Sequence, residues 1–393
     1  MPLSSRETAL HTRIVTRADE RMRFLEQLVR INSGSANLAG IEAVGDLVKP
    51  AFDALGFTTR WHLPVKGHQR EKPARTLVAR RKGAAGATPI FVTAHLDTVF
   101  EPADGFEGFR VDGDRAIGPG IVDCKGGVVA ILAALDALAA EGMLDRVDCR
   151  VVLGGDEETG SFESRDVIEQ EATGSAFSLV FEGGRPSGDI VRYRAGNGGY
   201  DVKAIGRAAH AGNAHPDGIN AIEILSAAVL ALQKLTDYPR GITVNAGTIR
   251  GGTKRNIVPA EAACAVDVRY AHASDGPAFD AAVRAVASVA TPFKGTLEIT
   301  GGLNRPPYPE ADGKIAALAD RWIAAAADLG LTMSAGPTGG GSDGNWTAAM
   351  GIPTLDGLGP VGGKYHTVGE YLVVKTLPER AALAAIGIAR LAG

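Results

Sequence analysis

The sequence is poor in cysteine. Cys124, Cys149 and Cys264 are the only three among 393 residues. Three thiols cannot build a disulfide framework, and no CxxC pair is present. No run approaches the roughly 18 consecutive apolar residues of a transmembrane helix. The opening segment, MPLSSRETALHTRIVTRADERMRFL, has no apolar core of signal-peptide length. These absences lead to the expectation of a soluble cytoplasmic protein with no membrane partner. An excess of basic residues is also missing: Lys+Arg 41 against Asp+Glu 45 gives a net charge of −4. Such a balance suits no phosphate backbone, so no nucleic-acid partner is expected. No GK[ST] follows a Gly-rich loop, which excludes a Walker phosphate loop.

Apolar residues are plentiful. At 45% hydrophobic and 22% charged, the chain can bury a large core, which excludes overall disorder. At roughly 150 residues per domain, two or three domains are expected. Gly numbers 51, which points to tight turns and close backbone approaches.

The first half alternates helix and strand signals. Arg17–Arg30 and Gly40–Leu55 read as helices, the second kinked at Pro50. Arg75–Arg81, Pro89–His95, Val147–Leu153 and Phe177–Phe181 read as strands, PIFVTAH being apolar enough for burial on both faces. Gly126–Glu141 reads as an apolar helix capped by Gly142. The middle changes style. Ile190–Gly206, Ile242–Ile249, Ala260–Ala271 and Thr296–Thr300 read as strands, Gly218–Leu235 and Asp275–Thr291 as helices. That order is βαββαβ, the ferredoxin-like split-βαβ pattern. After Pro306-Pro307 come a helix over Gly313–Leu329, the Gly339–Gly341 loop, a short helix, a strand near Pro353–Leu355 and a final helix over Leu377–Leu391. The fold class is therefore α/β: a mixed sheet flanked by helices over residues 1–188 and 306–393, with a domain inserted at 189–305.

Chemistry-bearing residues gather where strands end. His95 closes PIFVTAH and is followed by Asp97; Asp123 lies in GPGIVDCKGG just before the apolar helix. Glu157 and Glu158 follow the Val147–Leu153 strand, Glu182 ends the next, and His366 lies in GGKYHT. Strand carboxyl ends are where an open α/β sheet collects its ligands. Two imidazoles with three or four carboxylates suit zinc, cobalt or manganese, and one carboxylate can bridge two ions. Asp97 is placed to orient His95. Of two consecutive glutamates, one can ligate while the other stays free as a base. The amides of the Gly339–Gly341 loop can approach a substrate.

The ordered set AHLDTV, GPGIVDCKGG, GGDEETGS, FEGG, GRAAHAG, GGGSD and YHT resembles the M20 metallopeptidases, most of all their glutamate carboxypeptidase branch. The resemblance spans about Arg21 to Ala392 and implies a zinc-peptidase fold with an inserted lid and dimerisation domain. It implies two zinc ions per subunit, with cobalt or manganese as substitutes. Asp123 would bridge them, His95 and Glu182 would complete one ion's ligands, and Glu158 and His366 the other's. Glu157 would be the general base, taking a proton from the attacking water and returning it to the leaving amine. His210, in GRAAHAG, would reach the site of a partner subunit and stabilise the tetrahedral oxyanion. Asn256 and Arg305 would bind the substrate's terminal carboxylate, for which a guanidinium fork is suited, with Gly341 beside it. The expected partners are a small peptide or N-acyl amino acid as substrate and a second copy of the chain, docked through the inserted domain.

Resemblance leaves the substrate open. Release of a C-terminal, glutamate-like residue comes first; aminoacylase or dipeptidase action on the same site is the alternative. Glu rather than Asp at position 182 leans toward carboxypeptidase or acylase action. A metal- and amino-acid-binding homologue without turnover is the reading from another class, but a binder needs no Glu157. One departure stands out: Cys124 follows Asp123 where many relatives have a second polar residue. The family often has a cis bond at that point.

Overall fold

The computed structural model describes residues 2–64, 72–309 and 313–393. The chain forms two compact units. One comprises Met1–Arg192, Ala311–Pro337 and Ser342–Gly393; the other comprises Tyr193–Glu310 and Thr338–Gly341. The expected bounds of 189–305 for the inserted domain differ at both ends: the second unit begins at Tyr193, runs to Glu310 and takes in Thr338–Gly341. Within the second unit, Arg194 Nη1 donates to the carbonyls of Gly340 and Gly341.

The first unit opens with α1 (Ser5–Thr16), α2 (Ala18–Val29) and α3 (Leu38–Ala54). Helix α1 lies outside the expected set, and α3 runs through Pro50. Strands β1 (Thr58–His62), β2 (Thr76–Arg81) and β3 (Thr88–His95) follow. Next come α4 (Gly126–Ala140), β4 (Val147–Gly154), α5 (Arg165–Ala172) and β5 (Phe177–Val180). Helix α4 reads GGVVAILAALDALAA and is buried nearly all round, as an apolar helix without a polar face must be. Gly142, at φ +65°, takes the left-handed turn past its end.

The second unit contains β6 (Gly196–Ile205), α6 (Ala221–Gln233), β7 (Thr243–Gly251), β8 (Glu261–Tyr270), α7 (Gly276–Ala285) and β9 (Thr296–Leu303). Its sheet runs β7-β8-β6-β9 with every neighbour antiparallel, the split-βαβ arrangement. Buried and open positions alternate along β6 and β8. The inward side chains, such as Val202, Val266 and Val268, pack with Ile224, Leu225 and Phe279 from the helices. Two expected elements differ. Ile190–Arg194 is a strand separate from β6, and α7 stops at Ala285, where the chain tightens into a 3-10 helix over Val286–Phe293 that contains Pro292.

The chain then returns to the first unit with α8 (Gly313–Asp328), α9 (Gly344–Ala349), β10 (Thr354–Leu355) and α10 (Thr376–Leu391). The main sheet has the order β1-β2-β4-β3-β5-β10. Strands β4, β3, β5 and β10 are parallel neighbours, while β1 and β2 are antiparallel. Helix α10 packs on α4 and α1. No helix among the described residues is long and apolar enough to cross a membrane.

Candidate metal centre

Register brings the candidate residues to one sheet edge. His95 pairs with Gly154, and Thr93 with Val180, so the ends of β3, β4 and β5 are level. His95, the Asp156–Glu158 turn and Glu182 emerge there side by side. Asp123 sits in the turn Ile121–Lys125 that feeds α4, and its bond to Cys124 is cis. Helix α4 crosses the end of β5 so closely that a Cβ on Gly127 would lie 1.9 Å from the Phe181 carbonyl oxygen. Only glycine fits at that crossing. His366 has φ +57° in the loop before Tyr371–Val373. Its neighbour Tyr365 donates from Oη to the Gly184 carbonyl at 2.8 Å, tying that loop to the Glu182 segment.

The centre is built around Asp123. His95 Nε2 lies 3.1 Å from Asp123 Oδ1 and 3.6 Å from Glu182 Oε2. His366 Nε2 lies 3.3 Å from Asp123 Oδ2 and 3.3 Å from Glu158 Oε2. Thus the two carboxylate oxygens of Asp123 face two different imidazoles, each with a second carboxylate beside it. His95 is fully buried, whereas the His366 side chain is 57% exposed, so His95 forms the floor and His366 the rim. Ligand atoms of His95, Asp123 and Glu158 lie within 4.8 Å of one another, as do those of His95, Cys124 and Glu182.

Asp97 holds this edge together. His95 Nδ1 lies 2.9 Å from the Asp97 carbonyl oxygen, an acceptor, so Nδ1 carries a hydrogen and Nε2 is the nitrogen turned toward Asp123 and Glu182. The Asp97 carboxylate accepts the N–H of Glu157 at 3.1 Å, the N–H of Glu158 at 3.2 Å and the Ser35 hydroxyl at 2.8 Å. It therefore fixes the turn carrying both glutamates against the end of β3. Glu157 is itself buried.

The charges show the strain of a cation site. Burial and the Asp123 charge push Glu158 up to about 8, and burial pushes Glu182 up to about 7. Burial opposes ionisation of Asp123 too, but hydrogen bonds from His366 and His95 hold its carboxyl well below the usual range. Hydrogen bonds to Asp123 and Glu158 push His366 up to about 11. Burial works against a charged His95, yet the field of Cys124 and Glu182 and the bonds to Asp123 and Asp97 keep it well above its ordinary value. Burial drives the Cys124 thiol strongly upward. Three carboxylates converging in a buried place repel one another, and divalent cations relieve that repulsion. The nitrogen and oxygen donors fit a pair of such ions.

Sequence reasoning misses three buried groups behind this centre. Glu370 accepts the main-chain N–H groups of Gly120, Val122 and Asp123. Burial and the Asp123 charge push its carboxyl up to about 8. Lys125 is fully buried, donates to the Ile31 carbonyl at 2.9 Å and is pulled down to about 7 by burial. Asp356, also buried, accepts the Ser342 hydroxyl and the Gly357 N–H. The only signal for Glu370 is a lone carboxylate just ahead of an apolar strand.

The other expected residues lie in the second unit, in two separate places. His210 and Asn256 are exposed neighbours: His210 pairs with Ile257, and Ala211 donates its N–H to the Asn256 carbonyl. His210 Nδ1 accepts the N–H groups of Gly212 at 3.1 Å and Asn213 at 3.0 Å. The ring hydrogen of neutral His210 is therefore on Nε2. Arg305 is buried, and a Cβ on Gly341 would lie 3.2 Å from Arg305 Cδ. The Arg305 N–H contacts Asn197 Oδ1, which puts this pair at the Gly196 end of β6. His210 and Asn256 lie beyond its Ile205 end.

Comparison with known proteins identifies the family. Residues 91–388 match the group described as Peptidase family M20/M25/M40. Carboxypeptidase G2 of Pseudomonas sp. (strain RS-16) is 32% identical over 376 residues, covering 93% of this chain and 87% of that protein. Among solved structures, a tripeptidase from Staphylococcus aureus superposes with a TM-score of 0.77 at 23% identity, covering 95% of this chain and 98% of that one. An M20 family metallo-carboxypeptidase from Sulfolobus solfataricus gives 0.75 at 18% identity, covering 94% and 98%. The extent of the family match and the similarity to carboxypeptidase G2 make this chain a member of peptidase family M20/M25/M40, and so a hydrolase of the metallopeptidase type.

Proposed function

We propose that this chain is a two-metal hydrolase that cleaves the amide bond of a small peptide or N-acyl amino acid and releases the C-terminal amino acid, glutamate-like residues first. One observation carries the reading: the two oxygens of Asp123 are shared between His95 and His366. Asp123 would bridge two zinc ions, with His95 and Glu182 on one and Glu158 and His366 on the other; cobalt or manganese could replace zinc. When bound there, the cations acidify a water and polarise the scissile carbonyl. Glu157, beside Glu158 on the same turn, takes the water's proton on its carboxylate and returns it to the leaving nitrogen. Asp97 keeps that turn and the His95 ring in place. His210 offers Nε2–H to the developing oxyanion. Arg305, with Asn256 and the Gly341 main chain, holds the terminal carboxylate. The similarity to carboxypeptidase G2 supports release of a C-terminal residue.

A homodimer through the second unit belongs to the same reading. Strand β6 separates Arg305 and Gly341 from His210 and Asn256 by roughly 27 Å at about 3.3 Å per residue. No small substrate spans that distance, so the two pairs meet at one site only if a second copy supplies one of them. Strand β7 is an edge of its sheet and leaves Ile249 65% exposed, and Leu230 on α6 is 66% exposed, which supports a two-fold contact through this unit. Three free cysteines, all buried, fit a reducing compartment such as the cytoplasm.

The test is metal analysis beside a panel of dipeptides and N-acyl amino acids. Two ions per chain are expected, with release of free amino acid that stops on chelation and returns with zinc. No stoichiometric uptake, or two bound ions with no turnover across the panel, would overturn the proposal.

A further inference from the structure

Glu370 does more than fill a polar gap. Its carboxylate is 1% exposed and accepts three main-chain N–H groups from the Asp123 turn: Val122 at 2.9 Å, Asp123 at 3.1 Å and Gly120 at 3.3 Å. Buried N–H groups without an acceptor are costly, so this carboxylate holds the turn in its conformation. The main chain of Glu370 works in the same direction. Its carbonyl accepts the Gly118 N–H at 3.2 Å, and its own N–H donates to the Thr367 carbonyl at 3.1 Å. The Thr367 N–H and hydroxyl both donate to the Lys364 carbonyl, at 3.1 and 2.8 Å. These bonds close residues 364–370, the loop that carries His366, into a compact turn. Immediately after it, Tyr371 pairs with Ile117. Beside that strand pairing, Glu370 thus fastens the His366 loop to the Asp123 turn through both its side chain and its main chain. His95 and Glu182, by contrast, depend on the ladder of β3 with its neighbours.

We infer that Glu370 is a positioning residue that clamps the loops bearing Asp123 and His366 together, and so sets the affinity of the cation held on the His366 side. The inference rests on the two-metal reading above. It predicts an asymmetry: the clamp joins two ligands of the His366-side ion, Asp123 and His366, but only the shared Asp123 of the other, so its loss loosens the His366-side ion more.

The experiment is a zinc titration of metal-free protein against a chromophoric chelator, comparing wild type, Glu370→Gln, His366→Ala and the double variant. Glutamine keeps the shape of the side chain but turns an amide N–H2 toward main-chain donors. Glu370→Gln should weaken one binding step by about 10- to 100-fold, as is usual for groups that orient metal ligands, and weaken the other distinctly less. The weakened step should be the one lost in His366→Ala, and the double variant should add nothing to it. Glu370→Asp, too short to reach all three N–H groups, serves as the second variant if glutamine prevents folding. Equal weakening of both steps would overturn the inference. So would a lower melting temperature of the metal-free protein with both affinities intact, which is what a purely structural carboxylate gives. A wild type that takes up fewer than two ions would instead refute the two-metal reading.

Discussion

At the scale of single residues, the centre is governed by which groups share an acceptor. The N–H groups of Glu157 and Glu158 both end on Asp97, so the two glutamates sit on one fixed turn, with different tasks proposed for each. Glu158 faces His366. Replacing Glu157 by glutamine should therefore leave metal content unchanged while lowering turnover at least about a hundredfold, the lower range for losing a general base. Metal analysis and steady-state kinetics on one preparation check both halves. Near-normal turnover would remove Glu157 from the proton path. The candidate ligands were legible in the sequence because each adjoins a pattern that can be read locally: His95 ends an apolar strand, Asp123 precedes an apolar helix, and Glu182 follows a buried strand. Glu370 was not, because its partners are main-chain N–H groups about 250 positions earlier, and nothing in VGEYL announces them.

Between elements, the placement of α4 decides how far Asp123 stands from Glu182. A methyl on Gly127 would meet the Phe181 carbonyl oxygen at 1.9 Å, and neither main chain can turn aside as a side chain would. Gly127→Ala should destabilise the fold by about 1–3 kcal/mol or more, as overpacking does, and also lower zinc affinity, because α4 must retreat from β5. Denaturant unfolding and metal titration report the two effects. On its outer side α4 holds α1 through Asp136, which pairs with Arg13 at 3.0 Å and with Arg21 of α2 at 3.1 Å, and also with Arg17. Arg390 of α10 clasps Glu7. Burial opposes ionisation of Asp136, but bonds from Arg13 and Arg17 outweigh it, and its carboxyl lies below the usual range; Arg390 does the same for Glu7. For such groups the stabilisation is complete above the unfolded carboxyl value of about 4 and fades as pH falls through the lower folded values. Acidification below about pH 4 should thus loosen α1 before the main sheet, and Asp136→Asn should do so at neutral pH. Hydrogen-exchange protection factors of residues 5–16 check it; α1 protected as well as β3 under both conditions would contradict it. The periodicity reading missed α1 because only Leu10 and Ile14 are buried in it. The Ser4 and Glu7 capping box was the signal that remained.

The whole molecule raises a different matter, because the residues proposed to act on one substrate are divided between two ends of one sheet. Nothing local in GGGSD tells that Gly341 lies against Arg305 and Arg194, and nothing local in GRAAHAG tells that His210 stands a full strand away from them. The order of strands was legible from alternation; which strand end meets which loop depends on contacts across more than a hundred positions. The proposed dimer resolves the division and makes a quantitative claim. Take Glu157→Gln chains, which lack the base, and His210→Ala chains, which lack the oxyanion donor. If His210 acts on a partner's site, a mixed dimer contains one site with both groups and one with neither. Free exchange at equal concentrations makes half the dimers mixed, so turnover should recover to about a quarter of wild type from two nearly inactive parents. The recovery should follow the mixing ratio and peak where the two chains are equal. If instead His210 acts on its own chain's site, every site in the mixture lacks one group, and exchanged dimers stay at the level of their parents at all ratios.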